Sequence, residues 1–187
     1  MKAVRNFEEF IKENIVKKQS PDKSRAEFLI KESEKSYVFL IKKIKLFGIS
    51  PETANDFVKS CYDIIMELAR AKMLLEGYNS SGFGAHEAEV SYMRILGFNE
   101  NDVQFANQLR FFRNGMIYYG TILDTEYAEK VIEFTKRIYL KLKKSLERVW
   151  AKKRTKWRNE KLINAEILIK KREKNGNNII KRSIFKF

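Results

Sequence analysis

The 187-residue chain carries 38 Lys and Arg against 24 Asp and Glu, a formal net charge of +14 at pH 7. A chain of this length most simply makes one domain whose core needs no covalent staples, and the lone Cys61 excludes an internal disulfide and fits a reducing cytoplasm. No apolar run approaches the ~20 residues of a membrane span, and Glu8, Glu9 and Glu13 break the N-terminal apolar pattern in a way a signal peptide does not.

In chain order almost everything reads as helix. Val4, Phe7, Ile11 and Ile15 recur at helical spacing, predicting an amphipathic helix over residues 1–18. The chain has two prolines, and both sit at helix starts. Ser20-Pro21-Asp22 offers a cap, a proline at the first helical position and an acid in the first turn. The helix behind it runs to about Leu46, with Ala26, Ile30, Ser33, Tyr37, Leu40, Ile44 and Phe47 facing inward, and Gly48 ends it. Ser50-Pro51-Glu52 repeats the start signal. The third helix buries Phe57, Cys61, Ile64, Leu68, Ala71 and Leu75 and stops at Gly77. Residues 79–84 are a loop by composition. A short helix spans about Ala85 to Leu96. Asn99 to Asp102 offer caps for a helix that ends at Tyr119 before Gly120. Asp124 caps a last helix with Tyr127, Val131, Phe134, Ile138, Leu142, Leu146 and Val149 on its buried face. Long stripes with short connections predict an all-α, antiparallel up-and-down helical bundle, and no segment inside it reads as a strand.

Three regions follow: an N-terminal helix (1–19), the bundle (20–146) and a basic C-terminal extension (147–187). From Leu146 onward there are 14 Lys or Arg against 4 Asp or Glu. Lys152, Lys153, Arg154, Lys156, Trp157 and Arg158 form its densest part. Such a mixture of cations and indole suits single-stranded nucleic acid, through phosphate contacts and base stacking; the plain alternative is a solvated continuation of the last helix.

The most informative stretch is Leu109 to Gly120. Phe105, Leu109, Phe112, Met116 and Tyr119 recur at spacings of four and three, forming one apolar stripe. Arg110, Asn114 and Tyr118 recur every four residues, with Arg113 beside them. Two guanidinium groups, an amide and a phenol together suit phosphate or nucleotide. The plain alternative is a polar, solvated helix face over an ordinary core stripe.

Arg113-Asn114, three residues and Tyr118 resemble the Arg-Asn-x-x-x-His form of the HEPN superfamily motif, with tyrosine at the histidine position. The resemblance covers about Ser20 to Lys144 and includes the order of helices, the loop leading to His86-Glu87-Ala88, and Leu96-Gly97-Phe98. It implies a small helical bundle that forms a homodimer, with the motifs of two chains facing one cleft that engages RNA or nucleotide. It also implies a metal-independent endoribonuclease, in some members a toxin neutralised by a minimal nucleotidyltransferase; other members are non-catalytic modules that bind nucleotide, nucleic acid or a partner protein. By resemblance, Arg113 holds the scissile phosphate, Asn114 orients it and position 118 moves the proton.

An unperturbed tyrosine titrates near ~10 and a histidine near ~6.5, so Tyr118 as a base at neutral pH would lose roughly three orders of magnitude in ionised fraction. His86 is the only histidine, so no histidine pair forms within one chain; at the start of a short helix its plain role is capping or packing. There is no zinc-type Cys/His spacing and no glycine-rich nucleotide motif, so neither metal nor cofactor is expected.

Overall fold

The computed structural model describes residues 3–147. The chain divides into two units, Met1–Ser145 and Leu146–Phe187, and nearly all of the second lies outside the described residues. The basic cluster from Lys152 to Arg158 is among those outside.

The element order is α1 (Phe7–Lys12), β1 (Val16–Lys18), α2 (Lys23–Phe47), α3 (Pro51–Glu76), β2 (Tyr78–Ser80), α4 (Ala85–Ile95) and α5 (Glu100–Tyr119). A sixth helix, α6, occupies residues 125–147. The mostly helical class expected from periodicity holds. α3 is the central helix: α2, α4 and α5 all pack against it. Its predicted stripe of Phe57, Cys61, Ile64, Leu68, Ala71 and Leu75 is buried throughout. The three residues between α2 and α3 leave room only for a reversal, so the two helices lie along each other. α6 joins the layer through Tyr139, whose ring stacks on Tyr37 of α2 at 3.8 Å, and through Arg137, which meets Asp102 of α5 at 2.7 Å.

Helix starts follow from local chemistry. Ser50 caps α3 with Pro51 at its first position. The Asn99 side chain accepts from the Asp102 amide at 2.8 Å, and Asp124 accepts from the Tyr127 amide at 2.7 Å. At α2 the expectation needs correcting. The cap is Asp22, whose carboxylate accepts from the Arg25 amide at 3.0 Å, so the helix begins two residues after Pro21.

The N-terminal helix is also shorter than its pattern suggests. It ends at Lys12, because Asn14 turns into the left-handed region at φ 58° and the Ile15 amide closes back on the Phe10 carbonyl at 3.0 Å. The chain then leaves as strand β1, which pairs antiparallel with β2 in the register Val16–Ser80, Lys17–Asn79 and Lys18–Tyr78. Each strand has three residues, too few for a period-two pattern to be read. Gly77 lets the ribbon form. It has φ +83°, and a Cβ there would sit 2.5 Å from the Gln19 carbonyl oxygen.

This N-terminal segment is integral to the first unit. Phe7, Phe10 and Val16 form a buried cluster with Met73, Ala88 and Tyr92. Arg94 of α4 donates to the Val4 and Arg5 carbonyls at 3.0 and 2.9 Å. Two residues expected on inner faces are exposed instead: Phe47, in the last turn of α2, and Tyr119, in the last turn of α5. In both cases helical periodicity continued past the point where a neighbouring helix was available.

Candidate functional site

The motif helix α5 reaches the site through its middle and leaves the core at its end. Leu109 is buried, whereas Phe105, Phe112 and Met116 are half-buried against other elements. Phe105 packs on Phe134 at 4.6 Å and Phe112 on Tyr127 at 4.8 Å. Beyond them Ile117, Tyr118 and Tyr119 are exposed. Gly115 allows the chain to fold back: a Cβ there would meet the Thr121 hydroxyl at 2.8 Å, and the Thr121 amide donates to the Gly115 carbonyl at 3.2 Å.

The four motif residues do not form one group. Arg113 is half-buried, with Nε 3.9 Å from an Asp63 carboxylate oxygen and its guanidinium carbon 5.9 Å from the Tyr62 ring centre. That Nε is buried and makes no hydrogen bond. Arg110 turns back along its own helix, where its Nε donates to the buried Asn107 amide oxygen at 3.0 Å. Asn114 is half-buried, whereas Tyr118 is 70% exposed.

What surrounds Arg113 comes mainly from residues that pattern reading passed over. Asp63, Glu67 and Arg70 recur on α3 at spacings of four and three, with Tyr62 beside them, so one side of an otherwise apolar helix is polar. α4 adds His86 and Glu89, three residues apart. Glu89 is 2% exposed and is the anchor of the group. It accepts from Arg70 Nε and Nη2, both at 2.7 Å, and from Ser80 Oγ at 2.9 Å. His86 Nδ1 lies 3.3 Å from its second oxygen. Burial alone would push this carboxyl up; the bonds from His86, Arg70 and Ser80 overcome that and hold it at about 2.

Three buried polar atoms in this patch lack hydrogen-bond partners: Tyr62 OH, Glu67 Oε2 and Arg113 Nε. Burial raises the Tyr62 phenol well above its ordinary range. Burial also raises Asp63, against the opposing pull of Arg113, Arg70 and His86. Glu67 is pushed up to about 6, by burial and then by the nearby Asp63 charge. Buried donors and acceptors left open in this way are uncommon in stable proteins. The Tyr62 ring lies 6.5 Å from the His86 ring and 5.9 Å from the Arg113 guanidinium, so both groups border it.

A sequence signal for this patch existed in two places. Glu89 follows His86 by three, the spacing at which helical neighbours meet. Asp63, Glu67 and Arg70 interrupt α3 with the same helical spacing. Neither signal says that the two helices bring these faces together. Among the described residues no three His, Cys, Asp or Glu side chains converge as metal ligands do, and no helix is long and apolar enough to cross a membrane.

No protein-family model matches the chain, and no curated protein sequence matches it.

Proposed function

We propose that the chain is a HEPN-like helical module that engages RNA through Arg113 and acts as a homodimer. The observation that carries this is the state of Arg113. Its side chain is fixed between Tyr62 and Asp63, yet its Nε is buried without a hydrogen bond and its carboxylate neighbour stands off at 3.9 Å. A guanidinium held in position with open donors suits a phosphate, which accepts two bonds in a plane. The net charge of +14 gives the long-range attraction such a ligand needs.

The homodimer rests on the end of α5. Phe111, Ile117, Tyr118 and Tyr119 in the second half of α5, and Ile122 just after it, are all exposed. A patch of large apolar side chains at the end of one helix marks a contact surface. A second copy is the partner that the motif resemblance implies.

The exposure of Tyr118 favours one form of this reading over another. At 70% exposed on the last turn of α5, Tyr118 fits poorly as a held general base and better as a contact residue at the edge of the site. Ribonuclease action through Tyr118 and a purely binding role therefore give different variants. Binding of labelled single-stranded RNA by the full chain distinguishes them from no function at this site. Arg113→Ala is expected to weaken binding roughly tenfold or more and to flatten its dependence on log salt by about 0.7. Unchanged affinity and slope would remove Arg113 from the RNA contact.

A further inference from the structure

We propose that His86, oriented by Glu89, is the proton-transfer residue of the Arg113 site and serves cleavage of an RNA phosphodiester by the neighbouring ribose 2′-hydroxyl. This rests on the RNA reading above and deepens it.

The first support is the way His86 is held. Its side chain is half exposed, while its Nδ1 lies 3.3 Å from a carboxylate that is itself buried. Glu89 cannot turn away, because Arg70 binds both of its oxygens and Ser80 binds one. A carboxylate fixed behind an imidazole selects the tautomer with the proton on Nδ1 and leaves Nε2 as an acceptor. A structural histidine on a helix surface needs no such arrangement.

The second support is convergence. His86 and Arg113 come from different helices and border the same aromatic ring, Tyr62. The adjoining Asp63 carboxyl lies 3.9 Å from Arg113 Nε and is near Arg70 and His86 as well. The unpartnered Tyr62 hydroxyl and Arg113 Nε both lie in this patch, and both can donate. Phosphate oxygens are acceptors only, which suits the Arg113 guanidinium, whose side chain is 27% exposed. Tyr118, by contrast, stands 70% exposed on the last turn of α5.

The step balances without a co-reactant. Nε2 of His86 takes the proton from the 2′-oxygen as the bond from that oxygen to phosphorus forms. The bond from phosphorus to the 5′-oxygen breaks, with Arg113 beside the charge that develops on the phosphoryl oxygens. The leaving 5′-oxygen takes a proton from solvent, and His86 returns its own to solvent. The products are a 2′,3′-cyclic phosphate and a 5′-hydroxyl.

The test uses the full chain with an end-labelled single-stranded RNA and the same oligonucleotide made of DNA. His86→Ala and His86→Gln are compared with Tyr118→Phe, with binding and cleavage measured on each. The expected result is cleavage of RNA but not DNA, giving cyclic phosphate ends. Both His86 variants lose about 100-fold or more in rate while binding stays within about twofold. Added imidazole restores part of the rate to His86→Ala, which a packing role would not allow. His86→Gln keeps an amide donor toward Glu89, so loss in that variant is not explained by a disturbed fold. RNA bound but never cleaved would overturn the proposal and leave the binding reading standing. Cleavage that survives in both His86 variants, or is abolished by Tyr118→Phe, would overturn it as well. No RNA binding by the unaltered chain would remove the reading underneath it.

Discussion

The Asn55 side chain on α3 donates to the Thr121 carbonyl at 2.9 Å, tying the central helix to the turn that closes the motif helix. The same amide accepts from the Leu123 amide at 3.0 Å, so both ends of one side chain hold the turn. Asn55→Ala removes both bonds and leaves two backbone groups to find water. The expected cost is about 2 kcal/mol, since each such bond contributes on the order of 1 kcal/mol. The readout is a lower urea midpoint with an unchanged slope. Asn55→Asp keeps the acceptor for Leu123 and is expected to lose about half as much.

Gly115 tests the same turn from the other side. In an open helix, Gly→Ala gains about 1 kcal/mol. Here the new Cβ meets Thr121 Oγ1 at 2.8 Å and Thr121 Cβ at 3.5 Å, so Gly115→Ala is expected to destabilise. Adding Thr121→Ala removes the nearest atom. The double variant is therefore expected to melt above Gly115→Ala alone, and additive losses would contradict the clash.

Much of this fold was legible because helical periodicity and cap chemistry are local. Ser50, Asn99 and Asp124 stand as caps where the residue types predict them, and the α3 stripe is buried as its spacing requires. The cap at Asp22 and the turn at Asn14 are local shifts of a few residues, whereas the larger failures depended on partners far along the chain. β1 exists because β2, some sixty residues later, is there to pair with it. Phe47 and Tyr119 continue a pattern past the last helix that would cover them. The site shows the same division. Arg113 was singled out by its sequence neighbours, but Glu89, Arg70 and Tyr62 come to it only by the packing of α3 against α4 and α5.

Glu89 and Glu67 respond to pH in opposite directions. Glu89 titrates at about 2 in the fold, below its ordinary value of 4.5. Its ionised form therefore contributes stability that is fully present above pH 4.5 and is lost as pH falls toward 2. The difference corresponds to roughly 3 kcal/mol. Glu89→Gln is expected to cost about that much at pH 7, about half as much at pH ~3 and little below pH ~2, read from urea unfolding across that range. A cost independent of pH would mean that the carboxylate charge is not what Arg70 and His86 hold.

Glu67 titrates at about 6, above its ordinary value of 4.5. Its protonated form is favoured by the fold, so that contribution is present below pH 4.5 and lost as pH rises through 6. At pH 7 the ionised group is a burden. Because the side chain is only half-buried, solvent screening reduces the gain from Glu67→Gln to about 1 kcal/mol or less. The variant is expected to be more stable than the parent at pH 7 and equal to it at pH 4.

Cys61 supplies a probe of how the core opens. Its thiol is fully buried on α3, and burial pushes it up to about 12. Only the thiolate attacks a disulfide reagent, and neither reagent nor thiolate is present in the closed core. Labelling of the native chain by an aromatic disulfide at pH 8 is expected to be slow, to follow opening of the core and to reach full extent in denaturant. Asn55→Ala should speed it in proportion to the stability it loses, provided opening and closing outpace labelling. Fast labelling of the unaltered chain would mean that α3 is not sealed within the core, and the central position given to that helix would fall with it.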